Sequence, residues 1–392
     1  LGKMTKTSSI AAQIKWPGPG LGAGCDRFGP SADAGNPPRS PMKNPPRFVS
    51  FAGWLALAVS LPSIPVHAAA AAKPYSIVNS AQFPGAGGID YVFADVEGRR
   101  LCVPRGGEVL VFDLDTLKAA GAIANTRARG ATVDPKSHHG FSSSSPVTMW
   151  DSKTLATIKT IEVQGGPDGI LFEPFSQRVF VFSHRAPNAT VIDAKDGTVV
   201  GTIDLGGAPE QAVSDGRGHV YVDIEDKDNV AVVDVKTLAV TAHYDLSGKG
   251  KTPAGLALDA KNRVLFACCR NPAVAVILSA DDGKILATLP IGTGTDGGGF
   301  NAATMEAFSS QGDGTLTIIK ENSPTSFEVA QTVQTKARGK TSTLDSKTNR
   351  IVVIATSPMP ATAQPAAAPV APAAGAQRGG GPAMLDILVV GR

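Results

Sequence analysis

The sequence predicts an all-β fold: a seven-bladed β-propeller of four-stranded antiparallel blades. Three observations predict it. A unit of about 42 residues recurs seven times. Each unit divides into four short runs rich in Val, Ile and Tyr, separated by turns of Asp, Gly, Lys and Asn. Finally, 43 Gly and 29 Pro among 392 residues suit many short strands joined by turns better than they suit helices.

The unit is plainest over 206–246, GGAPEQAVSDGRGHVYVDIEDKDNVAVVDVKTLAVTAHYDL, with strands expected at 211–214, 219–223, 230–235 and 239–246. The first strands align as DYVFAD (90–95), RGATVD (129–134), DGILFE (168–173), EQAVSD (210–215), AGLALD (254–259), DGGGFN (296–301) and KTSTLD (340–345). Their starts are 39, 39, 42, 44, 42 and 44 residues apart. Helical solenoids share this period but not this pattern of short strands. The third strand repeats as VLVFDLDT (109–116), VTMWDSKT (147–154), ATVIDAKDG (189–197), VAVVDVKT (230–237) and VAVILSADDG (274–283). Asp113, Asp151, Asp193 and Asp234 close it, and an Asp there caps the following turn through amides two residues on.

The seventh copy is interrupted. Residues 351–356 form its second strand, 357–383 an Ala/Pro/Gly linker that cannot pack a core, and 384–391 its third strand. The fourth strand is missing, while 75–82 is a strand without a hairpin partner. Pairing the two closes the ring over 75–391 with both termini in the last blade, which hides sheet edges that an open ring would expose.

The N-terminal region reads differently. Lys43 and Arg47 precede an apolar run at 48–61, and Val66-His67-Ala68 is a small-residue cleavage site. Residues 42–68 therefore read as a secretory signal peptide cleaved near Ala68, which places the mature chain in the periplasm or outside the cell. Pro62 and Pro65 break the run, which is short for a membrane anchor. Residues 1–41, Pro/Gly-rich and without apolar periodicity, are expected to be a disordered, non-native extension upstream of a natural start at Met42.

Of 37 Lys+Arg and 34 Asp+Glu, seven and two respectively lie in 1–68, leaving 30 and 32 beyond it. A domain this close to neutrality has no basic footprint for nucleic acid. Two of the three Trp (Trp16 and Trp54) also lie in 1–68, so the stacking platforms of single-strand or sugar binders are missing. The four cysteines, Cys25, Cys102, Cys268 and Cys269, form no disulfide framework, and without CxxCH no covalent haem is expected.

VYVDIED (220–226) with VAVVDVKTLAV (230–240), and the stretches 264–296 and 306–324, resemble the YVTN-repeat family, the YncE-like exported bacterial propellers. The likeness runs over 75–391 and implies the propeller fold. Related propellers include partner-binding surface proteins, lyases, lactonases and cofactor-bearing dehydrogenase subunits, so it does not choose an activity.

The alignment does offer a site. The leading position of each inner strand holds Asp90, Arg129, Asp168, Glu210, Ala254, Asp296 and Lys340. Inner strands that line the axis would turn this column into a charged ring at one mouth of the channel, above small residues such as Gly130, Gly169, Gly255 and Gly297. The ring reads either as a site for a polar ligand or cation, or as charges that keep an open channel end wet. Charges about 10 Å apart in water interact by only about 0.4 kcal/mol, so water-mediated contact is expected rather than direct metal capture, and no metal ligand is assigned.

Other motifs fail on context. GTGTDG (292–297) lacks the helix that a dinucleotide site needs. His138-His139 falls in a turn with no third ligand, and the serines at 142–145 have no base. His184 and Arg185 sit where a second strand ends, near one face of the ring. The resulting reading is a monomeric binding or scaffold protein for a small polar ligand or a partner protein, with no cofactor and no assigned catalytic residue. Its rivals are a lyase- or lactonase-type enzyme using the same funnel and, less in keeping with the charge, a nucleic-acid binder.

Overall fold

The computed structural model describes residues 73–124, 126–360 and 381–392. They form seven four-stranded antiparallel sheets. Blades 1 to 6 occupy 93–123, 131–161, 167–204, 209–245, 251–290 and 295–334, each with its strands in sequence order from the axis outward. Blade 7 runs Thr341–Asp345, Arg350–Pro358, Ala383–Gly391 and, outermost, Ser76–Gly85. The expected closure is present: Ser76 pairs with Gly391 and Gly85 with Ala383.

Burial explains the composition of the strands. Both faces of a blade pack on neighbouring blades, so the two middle strands are buried throughout. In blade 4, His219–Ile224 is buried from Val220 onward and Asn229–Asp234 at its four central residues. The outer strand Ala239–Asp245 alternates between exposed and partly buried positions up to Tyr244, which is buried. The third-to-outer pairing shifts register once in each of blades 1 to 5 and twice in blade 6, and such bulges strengthen the twist that each sheet needs.

The core is a set of apolar layers between blades. Phe180 and Phe182 of blade 3 pack on Val220 and Val222 of blade 4. Leu385, Ile387 and Val389 of blade 7 pack with Leu101 and Val103 of blade 1, which seals the ring. Inner strands crowd the axis so closely that a Cβ on Gly255 would sit 2.9 Å from the Gly297 carbonyl carbon.

In blade 7 the strands extend beyond the expected linker bounds. Ser357 pairs with Met384 and Pro358 with Ala383, so three residues assigned to the 357–383 linker belong to the sheet. The closing strand explains it: Pro84 and Gly85 carry the pairing out to the same end. The segments 1–41 and 42–68, and linker residues 361–380, lie outside the described residues. Among the described residues no helix is long and apolar enough to cross a membrane.

Candidate functional site

The inner strands begin, and the second strands end, at one mouth of the ring. Antiparallel pairing sets these two positions side by side, as Pro167 with Ser183 and Pro209 with Ile224. The mouth therefore collects the leading column plus side chains from the second-strand ends.

Arg129 Nη1 lies 3.1 Å from Asp90 Oδ2 and 3.2 Å from Asp168 Oδ1. His184, in the turn after Arg178–Ser183, places Nδ1 3.3 Å from Asp168 Oδ2 and 3.8 Å from Glu210 Oε1. Its Nε2 is 3.8 Å from Glu225 Oε2. The Tyr91 hydroxyl donates to Glu210 Oε2 at 3.0 Å. Arg270 Nη1 is 2.5 Å from Glu225 Oε1, and Arg270 and Lys340 both bond Asp296.

The expected separation of about 10 Å is thus corrected to a chain of direct contacts. Glycine-lined inner strands draw the column inward, and the long Arg and Lys arms bridge neighbouring carboxylates. Ala254, the neutral member, leaves a gap in blade 5 that Arg270 of the same blade fills. Sequence reading placed Asp90, Arg129, Asp168, Glu210, Asp296 and Lys340 together, and the structure brings all six to the mouth. It flagged His184 and missed Tyr91, Glu225 and Arg270. The pairing of inner with second strands was the signal that could have found the last two.

Five carboxyl groups face three permanent cations here, and three of the carboxylates are mostly buried: Asp168, Glu210 and Asp296 are 5%, 7% and 6% exposed. Protonation responds accordingly. Burial, then the charge of Asp168, pushes Asp90 up to about 6. Burial and the neighbouring Glu225 raise Glu210 well above the usual carboxylate range. The hydrogen bond with Asp168 raises His184.

The mouth has a floor. Gln211 Nε2 donates to the Gly298 carbonyl at 2.8 Å, and its Oε1 accepts from Gly298 N at 2.8 Å and Leu256 N at 3.0 Å. One side chain thereby ties blades 4, 5 and 6 just below the ring. Beside the cup, a cleft of about 510 Å³ opens toward blade 2, lined by Arg127, Arg129, Ser144, Gly166 and Arg185 as well as Asp168, His184 and Glu210.

Three solved structures share this architecture. They are the crystal structure of RRP9 WD40 repeats (9% identity, TM-score 0.61, covering 72% of this chain and 91% of that one), the mitotic checkpoint complex (12%, 0.61, 76% and 96%) and U3-55K (9%, 0.61, 71% and 92%). The fold is that of a WD40-like β-propeller. At these identities the likeness establishes the propeller and nothing about its ligand. The sequence matches no protein-family model and no curated protein.

Elsewhere on the propeller the sequence motifs resolve into structure. GTGTDG (292–297) leads into the inner strand Thr295–Asn301. His138 sits in a turn at φ 60°, and His139 Nδ1 is 3.0 Å from the Ala194 carbonyl oxygen. Ser142 and Ser144 pair with each other at 2.6 Å. Cys102, Cys268 and Cys269 are free and buried, and burial pushes the Cys102 and Cys268 thiols up to about 12.

Proposed function

We propose that the chain is an exported YVTN-type propeller that binds a small polar ligand in the cup at its channel mouth. The observation that carries this reading is the convergence of charged side chains from all seven blades on one floored cup, with Asp168, Glu210 and Asp296 buried rather than splayed into solvent. Charges that only keep a channel end wet have no reason to be buried against one another, because burial of like charges is costly. Such arrangements collect at sites that recognise something. The residue likeness at 220–240 supports the family, and the segment 42–68 supports export. A ring closed by a strand of its own chain, Ser76–Gly85, fits a monomer.

The test is calorimetry against a panel of sugar acids, amino acids, nucleotides and short peptides, with wild type beside Asp296→Asn and Asp90→Asn. A panel member that binds wild type is expected to bind each variant at least about tenfold more weakly, which is about 1.4 kcal/mol. Equal affinity in wild type and both variants, with the fold intact, would contradict a mouth site.

One observation favours an enzyme as the second reading. His184 is paired to Asp168 beside a Glu210 whose proton is held at neutral pH, so a base and an acid face one cleft. Turnover of a lactone by wild type, lost in His184→Gln with unchanged circular dichroism, would select it.

A further inference from the structure

We propose that Asp168, His184 and Glu210 bind a divalent first-row transition-metal ion, Zn²⁺ or Mn²⁺, at the edge of the cup. This rests on the reading of the mouth as a ligand site and names the ligand class.

The donor atoms converge. One donor atom from each of the three residues lies within 4.8 Å of the others. An ion held at about 2.0–2.2 Å needs its donors roughly 3.0–3.5 Å apart. His184 Nδ1 is 3.3 Å from Asp168 Oδ2 and 3.8 Å from Glu210 Oε1, so a rotation of the two carboxylates toward the imidazole completes the set.

The far atoms of the same three groups point to an ion independently of that spacing. Each of the three groups uses its other polar atom toward a partner that aims it. Arg129 holds Asp168 Oδ1, Tyr91 holds Glu210 Oε2, and Glu225 Oε2 faces His184 Nε2. The remaining atom of each group is the one that converges, with His184 Nδ1 and Asp168 Oδ2 already in hydrogen-bond contact at 3.3 Å. Outer partners of this kind fix a metal-bound histidine's tautomer and a carboxylate's orientation. A merely electrostatic cluster has no need for every far atom to be occupied and every near atom to point inward.

The donor set selects the ion. One imidazole and two carboxylates suit Zn²⁺ or Mn²⁺, whereas Ca²⁺ takes six to eight oxygens and Mg²⁺ keeps most of its waters. Three protein ligands leave coordination positions open, and the adjoining cleft carries Arg127, Arg129 and Arg185. Among the described residues Arg127 and Arg185 have no carboxylate partner, so an anionic group bound to the ion would meet guanidinium groups there.

The test is titration of the full chain, freed of metal by chelator and dialysis, with Zn²⁺, Mn²⁺, Mg²⁺ and Ca²⁺ separately, followed by calorimetry and by Co²⁺ absorption spectra. One equivalent of Zn²⁺ or Mn²⁺ at micromolar affinity or tighter is expected in wild type. His184→Gln and Glu210→Gln should each lose it, and Tyr91→Phe should weaken it about 10–100-fold while leaving the donors in place. His139→Ala, away from the mouth, should bind as wild type does. No uptake by wild type, uptake that survives both donor substitutions, or uptake lost in His139→Ala overturns the site. The polar-ligand panel is run in chelator as a separate arm. Mouth binding that persists there without any metal uptake overturns the ion and keeps the ligand cup.

Discussion

Asp215 and Arg263 show how one residue serves two ends. Asp215 closes the inner strand of blade 4 and accepts from the Arg217 and His219 amides at 2.8 and 3.0 Å, the turn role its sequence position suggests. Its Oδ2 also lies 2.8 Å from Arg263 of blade 5, which in turn bonds Asp281. Arg99 repeats the clamp between blades 1 and 7 with Asp345 and Asp115. The turn was legible because its partners are local. The ion pair was not, because its partner sits 48 residues away on the next copy. Aligning Arg99 with Arg263 just before two second strands is the trace it leaves. Asp215→Ala is expected to cost about 3 kcal/mol, since it breaks a buried pair and two turn bonds together. Urea unfolding followed by fluorescence of Trp150, the one tryptophan among the described residues, measures it. A cost under about 0.5 kcal/mol would show that the clamp is decoration.

The hairpin between third and outer strands shows how an element is encoded. Asp113, Asp151 and Asp234 accept from the amides of Thr116, Thr154 and Thr237 at 2.8, 2.7 and 2.8 Å. The next residue, Leu117, Leu155 or Leu238, adopts φ 58°, 63° or 54°, where glycine stands in blades 3 and 5 as Gly197 and Gly283. The closing strand Ser76–Gly85 was legible by counting, since the last copy lacked one strand and the N-terminus had one to spare. Its exact reach was not, because Ser357 and Pro358 look like linker until their partners are seen. Tyr75, which precedes it, donates to Glu306 Oε2 at 2.8 Å, and Arg392 lies 2.5 Å from Glu306 Oε1, so both ends of the described chain grip blade 6. A chain that starts at Ile89 loses the strand and this grip. Its melting midpoint should fall by about 10 °C or more, or its cooperative transition should vanish. A midpoint within a degree or two of the parent would mean that the ring does not depend on its closure.

At the scale of the whole molecule, blade number was legible because a propeller writes its symmetry into the sequence, even where identity to solved propellers is only 9–12%. The site was half legible. Periodicity revealed the leading column, but side-chain reach and the arrival of Glu225 and Arg270 depend on three-dimensional pairing. Ionisation gives a global prediction. Burial alone would push Asp215, Asp345, Asp386 and Glu306 up, but hydrogen bonds from amides and from Arg263, Arg99, Lys336 and Arg392 outweigh it and hold them low. The stability they add is present above the ordinary carboxylate range near about 4 and is lost as pH falls through their depressed values. Asp90, raised to about 6, acts in the opposite sense: the unfolded chain releases that proton first, so stability declines as pH climbs toward 6. In chelator, the urea midpoint should peak at about pH 4 and fall on both sides, with the alkaline fall reduced in Asp90→Asn. A midpoint that rises steadily from pH 5 to pH 8 in both proteins would contradict this assignment.

The central claim is that seven blades build one binding cup, and the most direct measurement is a crystal structure of the chain purified without chelator and grown with its best panel ligand. Density other than solvent is expected within bonding distance of Asp168, Glu210 and Asp296. Ligand density on another face, over a mouth that holds only water between its ion pairs, would contradict it.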